Sequence, residues 1–202
     1  MPSTIQQVFA GAGLRPNGPV PWGAAIPETD PGVYLIALTA DTKSLKAARR
    51  DCPLLQAALA NLLRVRPELL IDGARPDASA LEQRLSAFWL SDEVVLYVGL
   101  AGTSVRSRVS AYYRTRVGAR SPHAGGWFLK MLAVLPQLYV HYAATDEPAL
   151  AEDRMLAAFS AQVSEAAGSE LHDPDRPIPF ANLEWPKHRH KRHGIGGARQ
   201  PA

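Results

Sequence analysis

The chain has 202 residues, 47% of them apolar and 20% charged, with a formal net charge of +3. That length suits one domain, or one domain carrying a sizeable insertion, and the balance excludes fibrous and wholly disordered classes. A lone cysteine, Cys52, excludes an internal disulfide, and no run approaches the roughly 18 apolar residues of a membrane span. The opening "MPSTIQQVFAGAGLRPNG" has no basic stretch followed by an apolar one, so a cytoplasmic protein without membrane contact is expected.

Residues 1–30 are rich in Gly and Pro and read as an N-terminal arm. "GVYLIALTA", behind Pro31-Gly32, predicts a strand buried on both faces. From Ser44 to about Leu70 the text turns helical, with Leu54, Leu55, Leu59, Leu62 and Leu63 at three- and four-residue spacing. "DASALEQRLSAFWL" predicts another helix, with Asp77 or Ser79 as N-cap. These helices make a helical insertion of about 42–91. "EVVLYVGLAG" predicts the second strand, and "TSVRSRVSAYYRTRVG" a helix capped by Thr103 or Ser104. "SPHAGGWFLKMLAVLP" reads as a loop entering an apolar helix, "QLYVHYAAT" as a third strand, and "DEPALAEDRMLAAFSAQV" as a helix with Pro148 in its first turn. The remainder is Pro-rich and irregular, ending in a basic tail over 186–202. The class is α/β (α+β): a small sheet with helices on its faces.

Charge is unevenly laid out. Ten of the 19 acids precede Val94 and none follows until Asp146; that interval holds Arg106, Arg108, Arg114, Arg116, Arg120 and Lys130. A second acid-free stretch contains Lys187, Arg189, Lys191, Arg192 and Arg199. Such clusters suit either a polyanion partner or a solvated basic face. "HRHKRH" lacks the companion cysteines of a structural zinc site.

Individual residues sharpen the choice. Glu152 shares a helical face with Met155, Leu156 and Phe159, where a carboxylate is either ion-paired at the stripe's edge or the ligand of a hard cation such as Mg²⁺. Arg108 falls on the stripe of Val105, Val109 and Tyr112, where it either snorkels or clamps a phosphate. Tyr34 and Tyr97 either pack or, in a site, hydrogen-bond or deprotonate an attacking water. Asn182, between prolines, is either a turn former or a polar partner of a phosphate or of Glu152.

In this order the residues resemble the GIY-YIG nuclease superfamily. Gly32-Val33-Tyr34 and Tyr97-Val98-Gly99 match its two half-motifs, Arg108 and then Tyr112 its arginine and the residue four places on, and Glu152 and Asn182 its later carboxylate and amide. The likeness spans about 31–185, and the long 35–96 interval between the half-motifs resembles a restriction-endonuclease-like branch with an insertion. It implies a three-stranded antiparallel sheet flanked by helices and a divalent-metal-dependent endonuclease cutting DNA, double-stranded first of all, as a monomer or homodimer. Catalysis would then fall to Tyr34, Tyr97, Arg108, Tyr112, Glu152 and Asn182, with Mg²⁺ or Mn²⁺ on Glu152. Gly99, Arg106, Arg114, Arg116 and Lys130 would contact substrate, Arg106 also being a rival for the role of Arg108. Two other readings stay open: an enzyme of this fold acting on a small molecule, and a nucleic-acid-binding module without chemistry.

Overall fold

A computed structural model describes residues 2–119, 127–185 and 190–196. Its elements are α1 (Ile5–Gly11), β1 (Asn17–Pro21), β2 (Gly32–Ala37), α2 (Gln56–Val65), β3 (Leu70–Ile71), α3 (Ala78–Ser86), β4 (Val95–Ala101), α4 (Val105–Arg114), α5 (Trp127–Lys130), β5 (Tyr139–Ala144), α6 (Pro148–Ser160), α7 (Glu165–Ser169) and β6 (Ile195–Gly196). The three expected strands lie side by side in a mixed α/β fold, every pairing antiparallel. The sheet nevertheless has four strands, in the order β1-β5-β2-β4.

The fourth strand corrects the reading of residues 1–30 as an arm. Residues 17–21 pair with β5, and Pro19 and Pro21 are tolerated because an edge strand needs ladder partners on one side only. Ahead of them, Thr4 and Gln7 close a capping box on α1. Ile5, Val8 and Phe9 of that helix are fully buried, and α1 packs on α6. Gly and Pro around short apolar groups concealed both elements.

All six residues of β2 are buried, because helices cover both faces of the sheet. Val33, Leu35, Ala37, Val98 and Ala143 pack with α1 and α6. Tyr34, Ile36, Tyr97 and Tyr142 face the other way, into a core shared with α2, α3 and α4. The insertion therefore lies over the tyrosine face.

The insertion holds less helix than its leucines predict. Residues 44–55 are irregular because Pro53 cannot join a helical ladder and disfavours the helical conformation before it. Leu54 instead bridges Leu132, and the Leu55 amide donates to the Met131 carbonyl at 2.8 Å. Asp77 caps α3 and Ser104 caps α4, each through its side chain. The apolar helix expected after the 121–126 loop is the single turn α5, and the loop itself lies outside the described residues.

Within 186–202 only 190–196 are described. There β6 pairs with β3 of the insertion. Lys191 is buried, its Nζ donating to the Pro179 and Phe180 carbonyls at 3.0 and 2.9 Å. Arg192 pairs with Asp173 and Asp175. These two charges are spent inside the molecule, whereas Lys187, Arg189 and Arg199 lie outside the described residues. Among the described residues no helix is long and apolar enough to cross a membrane.

Candidate active site

The two half-motifs meet across one ladder. Tyr34 stands opposite Gly99 on β4 and opposite Tyr142 on β5. The rings of Tyr34 and Tyr97 lie 5.7 Å apart between centroids, and both lean over Gly99. A Cβ at Gly99 would stand 2.5 Å from Tyr97 Cε1 and 2.9 Å from Tyr34 Cζ, so only glycine leaves room for the pair. At Gly32 a Cβ would run into the Ala143 carbonyl of β5. Both glycines serve close approach. Gly99 is buried beneath the rings, which corrects its assignment as a substrate contact.

Three other elements, β4, α4 and α6, bring polar groups to bear on the Tyr34 hydroxyl. That oxygen accepts hydrogen bonds from Tyr97 and Arg108, and the Arg108 charge favours its ionised form. Glu152, from α6, acts in the opposite sense on both Tyr34 and Tyr97. Complete burial wins the balance: the Tyr34 phenol is pushed up to about 12, and those of Tyr97 and Tyr112 well above the ordinary tyrosine value. Burial thus favours the protonated, hydrogen-bonding form of the Tyr34 phenol.

The side chains around it have different characters. Val105, Val109 and Tyr112 of α4 are fully buried, while Arg108, one turn from Tyr112, is exposed yet reaches back to Tyr34. On α6 the buried stripe is Ala151, Met155, Leu156 and Phe159, with Glu152 half-buried at its margin. The carboxylate thus keeps contact with water and avoids the full desolvation cost of a core charge. Tyr112 stacks edge-on against Tyr97 at 5.4 Å and against Trp22 at 5.5 Å, so it braces the cluster from below.

Other expected members are elsewhere. Asn182 Oδ1 accepts from the Val98 amide at 2.9 Å and its Nδ2 donates to the Val98 carbonyl at 2.8 Å, both bonds buried. Val98 lies on the open edge of the sheet, and the carboxamide takes the place of a neighbouring strand's peptide group. Asn182 consequently positions the strand between Tyr97 and Gly99 and holds neither phosphate nor Glu152. Arg106 donates from Nε to the Ile26 carbonyl at 2.8 Å and from a terminal nitrogen to the Pro27 carbonyl at 2.6 Å, which ties the lead-in to α4 and removes it as a rival to Arg108. Arg114, Arg116 and Lys130 line a separate cavity of about 580 Å³ together with Arg64, Tyr113 and Trp22. Neither Arg64 nor Trp22 was singled out from sequence. The one lay in a helix read for its leucines, the other in a segment read as an arm.

The donor set can be weighed against the implied metal. Among the described residues no group of three or more His, Cys, Asp or Glu side chains is arranged to hold an ion, which does not fit the closed shell of a structural zinc. A single accessible carboxylate does fit Mg²⁺ or Mn²⁺, hard cations that retain several waters when protein-bound. Comparison with protein-family models, with curated proteins and with solved structures finds no match to this chain.

Proposed function

We propose that the chain is a divalent-metal-dependent endonuclease of GIY-YIG type that hydrolyses DNA phosphodiester bonds. One observation carries the reading: Tyr34 and Tyr97, from β2 and β4, pack together over Gly99, and Arg108 of α4 and Glu152 of α6 both bear on the Tyr34 hydroxyl with opposite charge. Packing alone does not call for an arginine, a carboxylate and two phenols to converge. Phosphoryl transfer does, because charge on the phosphoryl oxygens must be neutralised while a water is held in line.

In this scheme Glu152 holds Mg²⁺ or Mn²⁺, which when bound polarises a phosphoryl oxygen and offsets charge on the leaving oxygen. Arg108, exposed at the mouth of the site, steadies the phosphate through its guanidinium. Tyr34, held by Tyr97 and Arg108, orients the attacking water through its hydroxyl. Asn182 and Tyr112 keep the strand and the rings in place.

The test is cleavage of plasmid by purified protein with Mg²⁺ or Mn²⁺, alongside the Glu152→Gln and Arg108→Ala variants. Each substitution should lower the rate by about 10²–10³-fold, the scale for loss of one oriented charge or donor in a site. Undiminished cleavage by both variants would sink the reading. The insertion over the tyrosine face, with Tyr34 wholly buried, favours as second reading a narrower site for a small phosphodiester. That reading gains if plasmid survives while a small phosphodiester is hydrolysed in a Glu152-dependent way.

A further inference from the structure

The cavity of about 580 Å³ beside the C-terminal end of α4 is not part of the tyrosine cluster. Its lining carries Arg64 from α2, Arg114 and Arg116 from the end of α4 and the turn beyond, and Lys130 from α5, with no acidic residue. Among the described residues no carboxylate pairs with any of the four. Arg64 and Arg114 lie in the last turns of their helices, and Arg64 donates to Asn61 Oδ1 at 2.8 Å. Lys130 is half-buried and donates to the Tyr113 carbonyl at 3.2 Å. Four cations around one concavity with low-dielectric walls focus a positive potential there.

The other wall is aromatic. Trp22 and Tyr113 both line the cavity, half-exposed, packed edge to face with ring centroids 4.8 Å apart and planes at 69°. From Trp22 the rings continue inward through Tyr112 to Tyr97 and Tyr34, at 5.5, 5.4 and 5.7 Å in turn. Along α4, Arg114 lies six residues past Arg108, about 9 Å further down the axis and about 120° round the helix. Cations beside flat rings are the two components by which proteins hold single-stranded nucleic acid, phosphates on the former and bases on the latter. Duplex DNA buries its base faces and offers nothing to Trp22 or Tyr113.

We infer that this cavity is a binding site for an unpaired nucleotide of a nucleic-acid strand, its base on Trp22, which Tyr113 braces edge-on, and its phosphates on Arg64, Arg114, Arg116 and Lys130. As a flank of the cleaved strand it rests on the nuclease reading; as a strand-binding site it stands without it. Arg64 comes from the insertion, so the insertion contributes directly to substrate choice.

The test is fluorescence anisotropy of a labelled oligothymidylate with the full chain, without divalent cation, across a salt series. Arg64→Ala and Arg114→Ala should each weaken binding and make the log–log salt slope shallower by about 0.7, one strand phosphate apiece. Lys43→Ala, an exposed lysine next to Thr42, whose carbonyl accepts from Gln6 of α1 on the other face of the sheet, controls for net charge and should leave the slope alone. Trp22→Leu should cost about tenfold or more in affinity, the scale of one base–aromatic stack, with a thermal melt to verify folding. Slopes unaltered by Arg64→Ala and Arg114→Ala overturn the inference. So does Trp22→Leu weakening a blunt duplex as much as the oligothymidylate, or inorganic phosphate that competes as well as a nucleoside monophosphate. Arg64-dependent binding with plasmid left intact in Mg²⁺ and Mn²⁺ sinks the nuclease reading and leaves the cavity assigned. Metal-dependent cleavage with Arg64-independent binding does the reverse.

Discussion

Replacing Gly99 by alanine displaces the tyrosine pair without removing any group proposed to do chemistry. The new Cβ would stand 2.5 Å from Tyr97 Cε1, where ordinary contacts begin at 3.4 Å, so the Tyr97 ring must retreat by about 1 Å. Retreat is resisted on both sides, by the Tyr34 ring at 5.7 Å and the Tyr112 ring at 5.4 Å. Overpacking of this kind costs about 1–3 kcal/mol, which a domain of ordinary stability survives. The catalytic cost is larger in proportion. A misplacement of about 1 Å among positioned groups lowers rates by about 10²-fold, and Tyr97 is one of the two groups that hold the Tyr34 hydroxyl. Urea unfolding gives the first quantity and single-turnover cleavage of plasmid the second. Gly32→Ala is the internal comparison: its Cβ meets the β5 backbone, which cannot swing aside as a ring can, so its stability loss should exceed that of Gly99→Ala. If Gly99→Ala unfolds at the parent's urea midpoint, the packing argument fails. If it is destabilised yet cleaves at the parent's rate, Tyr34 and Tyr97 are not site residues.

Two further outcomes follow from buried polar groups. Asn182→Ala strips both bonds from Val98 in a buried setting and should cost about 2–4 kcal/mol, with part of the activity lost through Tyr97; a stability change under about 0.5 kcal/mol in chemical denaturation would contradict the edge-strand role. Glu93, which accepts the Ser3 amide at 2.9 Å, is pushed up to about 8 by burial. The folded state then holds a proton that the unfolded state releases near 4.5, so this contribution to stability is full at low pH and is lost as pH rises toward 8. Glu93→Gln should accordingly lose less Tm than the parent between pH 5 and pH 8, and equal losses would refute the assignment.

Local chemistry made much of the fold readable. Pro31-Gly32 before an apolar β-branched run, Asp77 and Ser104 at helix starts, and Pro148 in a first turn each act within a few residues, so β2, α3, α4 and α6 could be placed. The order of Tyr34, Tyr97, Arg108 and Glu152 along those elements resembles the GIY-YIG pattern, and that resemblance nominates them as a site. Leucine periodicity points to helix over 44–55, but backbone sterics give Pro53 priority and the segment is irregular. Residues 1–30 were misread because their structure depends on partners far away, β5 for β1 and α6 for α1.

What the sequence determined by itself was therefore which residues carry strands, helix starts and chemically capable side chains. Tertiary structure alone decided how those side chains are spent. It committed Asn182 to Val98 and Arg106 to the lead-in carbonyls, kept Arg108 on Tyr34, and gathered Arg64, Arg114, Arg116 and Lys130 around a cavity walled by Trp22. The reason is physical. A polar group's role is set by what it meets once water is removed, and those partners lie dozens of residues away along the chain.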